Sequence, residues 1–356
     1  MRNLHYIFML AVLSSCIGVE KKQVSFSLIK EVTLLNSSLS FEMNSALENN
    51  QLFLWDYKSK KHKMYHLNST QDTIKGSELA SFDLSDSHYS FFYYYTKDSV
   101  YTLYENTNQL LLSINGEVTT NSISDSFNIA ATSEIPICGN KKEIVFGNYY
   151  NGNVFVKENR KKYYNTKPII LYDIVSSTVK NIGYFPSCYT KDYANYYDYF
   201  PWVCLNKSGI AYAFDADHHI YLYEKGKEIE QIEVKSNYIK YFIPYDDSKM
   251  YDLNYSKTYH YEEPRYKRLI YDKYNNYYYR ICKLRSVKIQ GELNKKENWS
   301  IIVLNNQGEI LGEHVFSNKA YTYQIIFPSS EGLYVSKAIP PNKNLVLSLL
   351  KLNIHE

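Results

Sequence analysis

The sequence predicts an all-β fold, a six-bladed β-propeller closed by an N-terminal strand, and three observations carry that expectation. Helical periodicity is nearly absent, short runs rich in β-branched and aromatic residues recur between turn residues, and several of these runs group in fours. Four short strands joined by tight turns make a meander, the form of one propeller blade. A seven-bladed ring or a pair of β-sandwiches is the competing architecture.

The N-terminus is set apart from the fold. MRNLHYIFMLAVLSSC combines a basic start at Arg2, an apolar run from Tyr6 to Leu13 and small residues before Cys16. The run falls far short of the ~20 residues that span a bilayer, so residues 1–15 read as an export signal. Leu13, Ser14, Ser15 and Cys16 form a bacterial lipobox pattern, in which the cysteine thiol is acylated and the signal is cut just before it. Several acyl chains, each buried methylene contributing ~0.8 kcal/mol, anchor stably where one chain is marginal. Residues 16–23 are then the acylated cysteine and its tether, and residues 24–356 a single propeller domain.

The strands follow in order. SFSLIKEVTLLN, Ser25 to Asn36, is the closing strand. A faint unit beginning near Ser40 contains LFLWDYKSKKHKMYHL, and a clear one runs from Tyr89 to about Ile123 with turns at Lys97-Asp98 and Asn115-Gly116. Another faint unit extends from Ala131 to Tyr184. Residues 200–234 divide into Phe200–Leu205, Ile210–Phe214, His219–Tyr223 and Glu228–Val234. Tyr266 to Phe316 holds YKRLIYD, NNYYYRICKL and, after an insertion, WSIIVLNNQGEILGEHVF, with a hairpin signal at Asn305-Asn306-Gln307-Gly308. The last unit, Tyr321 to Asn353, has only three strands, and Ser25 to Asn36 can supply the fourth. Closure of this kind removes open sheet edges, which invite aggregation.

Composition bounds the function. A chain that is 45% hydrophobic and 22% charged folds rather than staying disordered. Its net charge of +3 comes from 40 basic and 37 acidic residues scattered without blocks, which argues against a phosphate-tracking surface and against nucleic acid as a partner. Strand propensity and an AT-rich genome account for many of the 39 tyrosines, leaving their local clustering to function.

In a propeller, the loop from the second to the third strand of a blade and the connection between blades emerge on one face. Asn148–Lys167, Pro186–Tyr199, Lys235–Arg265 and Arg285–Asn298, all long and without regular pattern, would crowd that face. Tyr189, Tyr193, Tyr196, Tyr197, Trp202, Tyr251, Tyr255 and Tyr259 are the expected contacts for a glycan, a peptide or a partner protein. Tyrosine presents a large face with few rotatable bonds and a hydroxyl. The simpler expectation is that these rings pack on one another and stiffen the loops.

Other chemistries have weaker support. Asp246, Asp247, Asp252, Glu262 and Glu263 could serve a carbohydrate-active hydrolase or lyase, since paired carboxylates flank the bond in such enzymes. A passive scaffold in an envelope complex is a further alternative. Asp215-Ala216-Asp217-His218-His219 is the most metal-like cluster, but adjacent histidines beside a strand point to opposite faces, so no metal is assigned. The chain has no GxSxG and no Gly-rich phosphate loop, and neither a catalytic residue nor a cofactor is assigned. Among Cys138, Cys188, Cys204 and Cys282, a Cys188–Cys204 bridge would clip the aromatic loop, and buried free thiols are the other option.

Over YDKYNNYYYRICKL (Tyr271–Leu284), WSIIVLNNQGEILGE (Trp299–Glu313) and EGLYVS (Glu331–Ser336), the chain resembles a Bacteroidetes lipoprotein family, domain of unknown function 4221. The resemblance implies a TolB-like six-bladed propeller anchored at the outer membrane and supplies no catalytic residue. Surface-exported lipoproteins of that phylum carry an acidic signal after the acylated cysteine. Here Ile17-Gly18-Val19-Glu20-Lys21-Lys22 has one acid and two bases, which favours the periplasmic side over the cell surface.

Overall fold

The computed structural model describes residues 23–35, 37, 42–47, 51–56, 61–67, 71–78, 90–96, 99–104, 109–114, 117–122, 128–130, 138–140, 142–150, 152–196, 199–286, 288–289, 292–293, 298–338 and 344–355. Cys16 and Tyr197 lie outside the described residues. The chain is mostly β, arranged as successive antiparallel sheets of four or five strands.

The first sheet holds Glu42–Leu47, Gln51–Asp56, Lys61–His66 and Ser77–Glu78, and the second Ser90–Thr96, Ser99–Tyr104, Gln109–Ile114 and Glu117–Ser122. The third holds Glu143–Tyr149, Ile169–Asp173 and Thr178–Ile182, with Asn128–Ala130 and Cys138–Gly139 both pairing along Glu143–Tyr149. The fourth is Trp202–Leu205, Gly209–Ala213, His219–Glu224 and Glu230–Glu233; the fifth is Arg265–Asp272, Tyr277–Lys283, Trp299–Leu304 and Ile310–Phe316. The sixth joins Tyr321–Ser329, Gly332–Lys337 and Leu345–His355 to the N-terminal Gln23–Leu35, with Thr73–Lys75 added in parallel. A two-stranded ribbon, Lys288–Ile289 with Glu292–Leu293, stands apart.

These sheets bury both faces, which is why their central strands read as unbroken apolar runs. In Trp299–Leu304 every residue is buried. Trp299, Ile301 and Val303 pack with the sixth sheet beside Leu333, Val335 and Leu350. Ile302 and Leu304 turn the other way, toward Trp202, Ala211 and Ile220 of the fourth sheet. The period of two sends alternate side chains into different cores. Likewise Val203, Ile210 and Tyr212 join the third sheet's Val145 and Ile169, while Cys204 and Ala213 join the fifth sheet.

Five of the described turns share one device. The side-chain Oδ1 atoms of Asn140, Asp173, Asn206, Asp272 and Asn305 each accept backbone N–H bonds from residues two to four positions ahead, at 2.6 to 3.1 Å. Such Asx turns tie a hairpin without strand residues. Gly308 holds φ +82° in one of them. At Gly209 a Cβ would overlap the Tyr223 carbonyl oxygen of the neighbouring strand, so only glycine permits that approach.

The N-terminal strand takes the fourth place in the last sheet, as expected. Gln23 lies opposite His355 and Leu34 opposite Leu345, so residues from the two ends of the chain complete one sheet. Val32, Leu34, Leu345, Leu347 and Leu349 are all at 0% exposure and pack with Leu52, Leu54 and Tyr65 of the first sheet. Two segments expected to be irregular contain helices: α1 (Lys157–Tyr164) and α3 (Leu253–Glu262), with the single turn α2 at Ser187–Thr190. Leu34→Ala or Leu347→Ala should each cost about 2–5 kcal/mol through the cavity left behind. A urea midpoint equal to that of the parent chain would refute a stabilising role for the pairing of the ends.

Candidate functional site

The four long segments meet at one end of the sheets, and a buried arginine joins three of them. Arg160 is 1% exposed on α1, inside the loop between the second and third strands of the third sheet. Its Nε donates to the Tyr193 carbonyl at 2.9 Å, and its Nη1 to the Val154 and Phe155 carbonyls at 2.9 and 2.8 Å. Its Nη2 pairs with Asp247 Oδ2, from the connection between the fourth and fifth sheets. Asp247 Oδ1 accepts from Asn195 Nδ2 at 3.0 Å, and the Asn195 carbonyl accepts from Tyr245 N at 2.6 Å. The fixed fork of a guanidinium suits such divergent acceptors.

The third connection continues into the fifth sheet. Lys283 Nζ donates to the carbonyls of His260 and Glu263, the latter at 3.2 Å, and Arg285 Nη2 lies 3.4 Å from Glu263 Oε1. α3 starts at Asp252, whose Oδ1 accepts from the Asn254 and Tyr255 N–H groups at 2.9 and 3.0 Å. This is an N-cap. Its inner face sets Tyr255 and Tyr259 one turn apart, and both rings meet Tyr245, at 5.1 and 4.9 Å between centroids.

The expected contact residues divide sharply by exposure. Tyr189 at 0%, Tyr196 at 5%, Tyr259 at 4% and Trp202 at 8% have little area left for a ligand. Tyr189 packs its ring on Tyr164, Tyr196 and Phe214 while its hydroxyl accepts from Ala216 N at 3.3 Å. Burial raises its phenol well above the ordinary value and pushes that of Tyr196 up to about 12. Tyr259 donates to the Ile243 carbonyl at 2.7 Å and carries the Arg265 guanidinium 4.9 Å over its ring. Trp202 Nε1 donates to Asp215, whose other oxygen meets Lys267 Nζ at 2.8 Å. Tyr189, Tyr196 and Tyr259 pack their rings within the loops, whereas Trp202 sits on a strand in the core between the fourth and fifth sheets.

Tyr193 and Tyr255 are half-buried, and Tyr251 is 86% exposed. Lys249 Nζ lies 4.6 Å over the Tyr255 ring, and Lys161 Nζ lies 5.7 Å from that of Tyr193. Asp192 and Tyr193 sit at φ +56° and +51°, a conformation that costs of order 1–3 kcal/mol for residues other than glycine. The Arg160 bond to the Tyr193 carbonyl helps to hold that turn.

Sequence reasoning named Tyr251 and missed the other exposed apolar residues of the same connection. Tyr238 (55%), Tyr241 (58%), Ile243 (41%), Leu253 (74%) and Tyr261 (44%) are exposed in the same connection as Tyr251. Leu253, Lys257 and Tyr261, spaced four apart, form the outer stripe of α3. That spacing was the available signal, because Tyr255 and Tyr259 at the same interval had to face inward.

The remaining candidates are engaged elsewhere. Asp246 Oδ1 accepts from Ser248 N and Oγ, which holds its carboxyl below the ordinary value, and Asp247, Asp252 and Glu263 act as ion-pair or capping partners. His218 meets the Tyr266 hydroxyl and His219 meets Asp217, each at 2.8 Å, so the adjacent rings diverge. Cys138, Cys188, Cys204 and Cys282 are free thiols, and the clip between Cys188 and Cys204 is not made. The reason is position: Cys188 packs against the core between the third and fourth sheets, and Cys204 in that between the fourth and fifth. Burial raises all four thiols, Cys138 and Cys188 to about 12.

Comparison with known proteins upholds the expected resemblance. The family model for a domain of unknown function, DUF4221, matches residues 147–315. The crystal structure of a DUF4221 member from Bacteroides vulgatus is similar at TM-score 0.67 and 19% identity, over 94% of this chain and 99% of that one. A protein from Bacteroides fragilis, described as a candidate exported protein, is similar at TM-score 0.52 and 9% identity, over 93% and 95% of the two chains. At these identities the likeness is one of fold. No curated protein matches the chain. Among the described residues no helix is long and apolar enough to cross a membrane.

Breaking a fully buried ion pair costs about 3–5 kcal/mol; Asp247 is 44% exposed, and solvent screening lowers that figure. Arg160→Met should therefore raise amide hydrogen exchange in residues 152–166, 187–196 and 240–263 and leave the far-ultraviolet strand signal intact. Exchange unchanged in all three segments would show that Arg160 does not hold them together.

Proposed function

We propose that the chain is a lipid-anchored protein of the bacterial cell envelope, a closed six-bladed β-propeller whose long-loop face binds a protein or peptide partner. Closure is supported by a cycle of neighbours among the first strands. Glu42–Leu47 lies beside Ser90–Thr96, which approaches Cys138–Gly139, and these residues flank Trp202–Leu205. Trp202–Leu205 lies beside Arg265–Asp272, then comes Tyr321–Ser329, which returns to Glu42–Leu47. The exported relative of similar fold supports the envelope location.

One observation carries the binding assignment. Six of the thirteen large exposed hydrophobic side chains among the described residues fall between Tyr238 and Tyr261. Scattered singly they would be ordinary surface, but concentrated on one segment they mark an interaction site. Sugar rings favour flat aromatic faces with hydrogen-bonding rims, and Ile243 and Leu253 add aliphatic surface that such a ligand uses poorly. A protein or peptide surface uses both.

Two experiments test this function. A photoreactive side chain in place of Tyr251 in intact cells should give protein adducts that Leu253→Ser reduces, a change worth within about 0.5 kcal/mol of stability at an exposed site. Adducts with polysaccharide would replace the protein reading, and none of either kind would remove the face as a binding site. Separately, Cys16→Ser should abolish acyl-chain labelling; labelling that persists would sink the anchor.

A further inference from the structure

The first strands of the fifth, sixth and first sheets, Arg265–Asp272, Tyr321–Ser329 and Glu42–Leu47, each form an edge of their sheet, and the sixth-sheet strand lies against the other two. Each departs from regular pairing with its second strand near its own start. The register slips at Arg268 in the fifth sheet, across Tyr323, Gln324 and Ile325 in the sixth, and at Asn44-Ser45 in the first. Arg268, Gln324 and Ser45 are each the fourth residue of their strand. In the fifth and sixth sheets the starts are level: Arg265 lies opposite Lys283, Lys283 opposite Trp299, and Trp299 Nε1 donates to the Tyr321 carbonyl at 3.2 Å. Ser90–Thr96 is also bulged, but toward its far end, and Trp202–Leu205 is regular. A bulge leaves its extra residue out of the ladder and re-aims that side chain.

A buried serine holds the sixth-sheet bulge. Ser336 Oγ accepts from Ile325 N at 3.2 Å and donates to the Thr322 carbonyl at 3.1 Å, which bridges the gap in the ladder. Tyr323 packs toward Trp299 and Ile325 enters the core shared with the first sheet, while Gln324 between them is exposed. In the fifth sheet, Lys267 pairs with Asp215 and Leu269 enters the core shared with the fourth. Arg268 between them is half-buried at φ +44°, and among the described residues it is the one non-glycine of positive φ inside a strand. Such a conformation persists only where its surroundings impose it, and it recurs where proteins clamp ligands.

Charge on the fifth-sheet edge is one-sided. Arg265, Lys267 and Arg268 fall within four residues. Asp215 answers Lys267, and Glu263, which acts on Tyr259 together with Arg265, pairs with Arg285. Arg265 is 3% exposed, forms no ion pair among the described residues, and has no hydrogen-bond partner at Nη2. The planar fork of a guanidinium matches the oxygens of a carboxylate or a phosphate.

We propose that the meeting of these bulged edges is a binding site for a small anionic molecule, with Arg268 taking its carboxylate or phosphate group and Gln324 a neighbouring polar group. Arg265 adds positive potential at the long-segment end of the same strand. Edges that lie against one another admit a small molecule and not a folded domain. The site is separate from the exposed patch between Tyr238 and Tyr261 and does not depend on what that patch binds.

The test follows thermal unfolding of the full chain, kept in detergent, in inorganic phosphate, in citrate and in sodium chloride of equal ionic strength. At least one of the two anions should raise Tm saturably above the chloride control. A response to phosphate alone assigns a phosphate group, to citrate alone a carboxylate, and to both an oxyanion site that takes either. Arg268→Asn should raise the half-saturating concentration about tenfold or more, the loss of a charge-assisted hydrogen bond. It should melt no lower than the parent chain, because asparagine tolerates the left-handed conformation better. Gln324→Ala, at an exposed position, should weaken the response several-fold. If neither anion exceeds chloride, or if Arg268→Asn responds as the parent does, no anion site lies here. An Arg268→Asn chain that melts well below the parent shows that Arg268 serves the fold, which also overturns the proposal.

Discussion

The pairing of Gln23–Leu35 with Leu345–His355 is the constraint on which the rest of the structure depends. It brings together residues more than three hundred positions apart, so its loop-closure entropy must be met by burial elsewhere. The requirement is satisfied locally: Val32, Leu34, Leu345, Leu347 and Leu349 fill the core shared with the first sheet, and Val24 joins the core shared with the fifth. One strand pair thus joins the sheets on both of its sides. It also covers what would otherwise be an apolar edge, the usual starting point for aggregation of β-rich chains. Contacts of such separation make for slow folding, and the turn chemistry works against that by preforming hairpins from neighbouring residues.

The abundance of tyrosine has two physical explanations that act in different places. At the sheet interfaces, Tyr212, Tyr221, Tyr266 and Tyr278 are nearly fully buried, and each brings a large ring whose hydroxyl reaches a partner at the rim. In the long segments, Tyr163 and Tyr189 extend the core between the third and fourth sheets, and Tyr245 packs against Tyr255 and Tyr259 of α3. Arg160 is the polar counterpart of those rings. Its guanidinium meets the carbonyls of Val154 and Phe155 inside the loop and the half-exposed carboxylate of Asp247. The loops are therefore a built platform, and the residues that hold it together differ from those it displays.

The fold was legible to the extent that its strands obey local rules. The runs of residues 200–234 and the closing strand at Ser25 to Asn36 fell within a few residues of Trp202–Glu233 and Gln23–Leu35, because hairpin chemistry and unbroken apolar runs leave clear marks. α1 was not legible: its buried stripe is Arg160, Tyr163 and Tyr164, and a charged residue at a core position hides the apolar period. α3 was hidden because tyrosine occupies both its inner and its outer face. The same ambiguity governs the site. Composition cannot say whether a tyrosine packs or projects: Tyr251 is exposed, whereas Tyr189 and Tyr196 are buried.

The division between the ends of the sheets follows from chain geometry. A four-stranded meander has two turns at one end, and at the other it has a single turn and the exit to the next sheet. At the two-turn end, Asx residues fix five of the described hairpins. All four long insertions lie at the opposite end, where added length disturbs no hairpin register and costs little more in closure entropy.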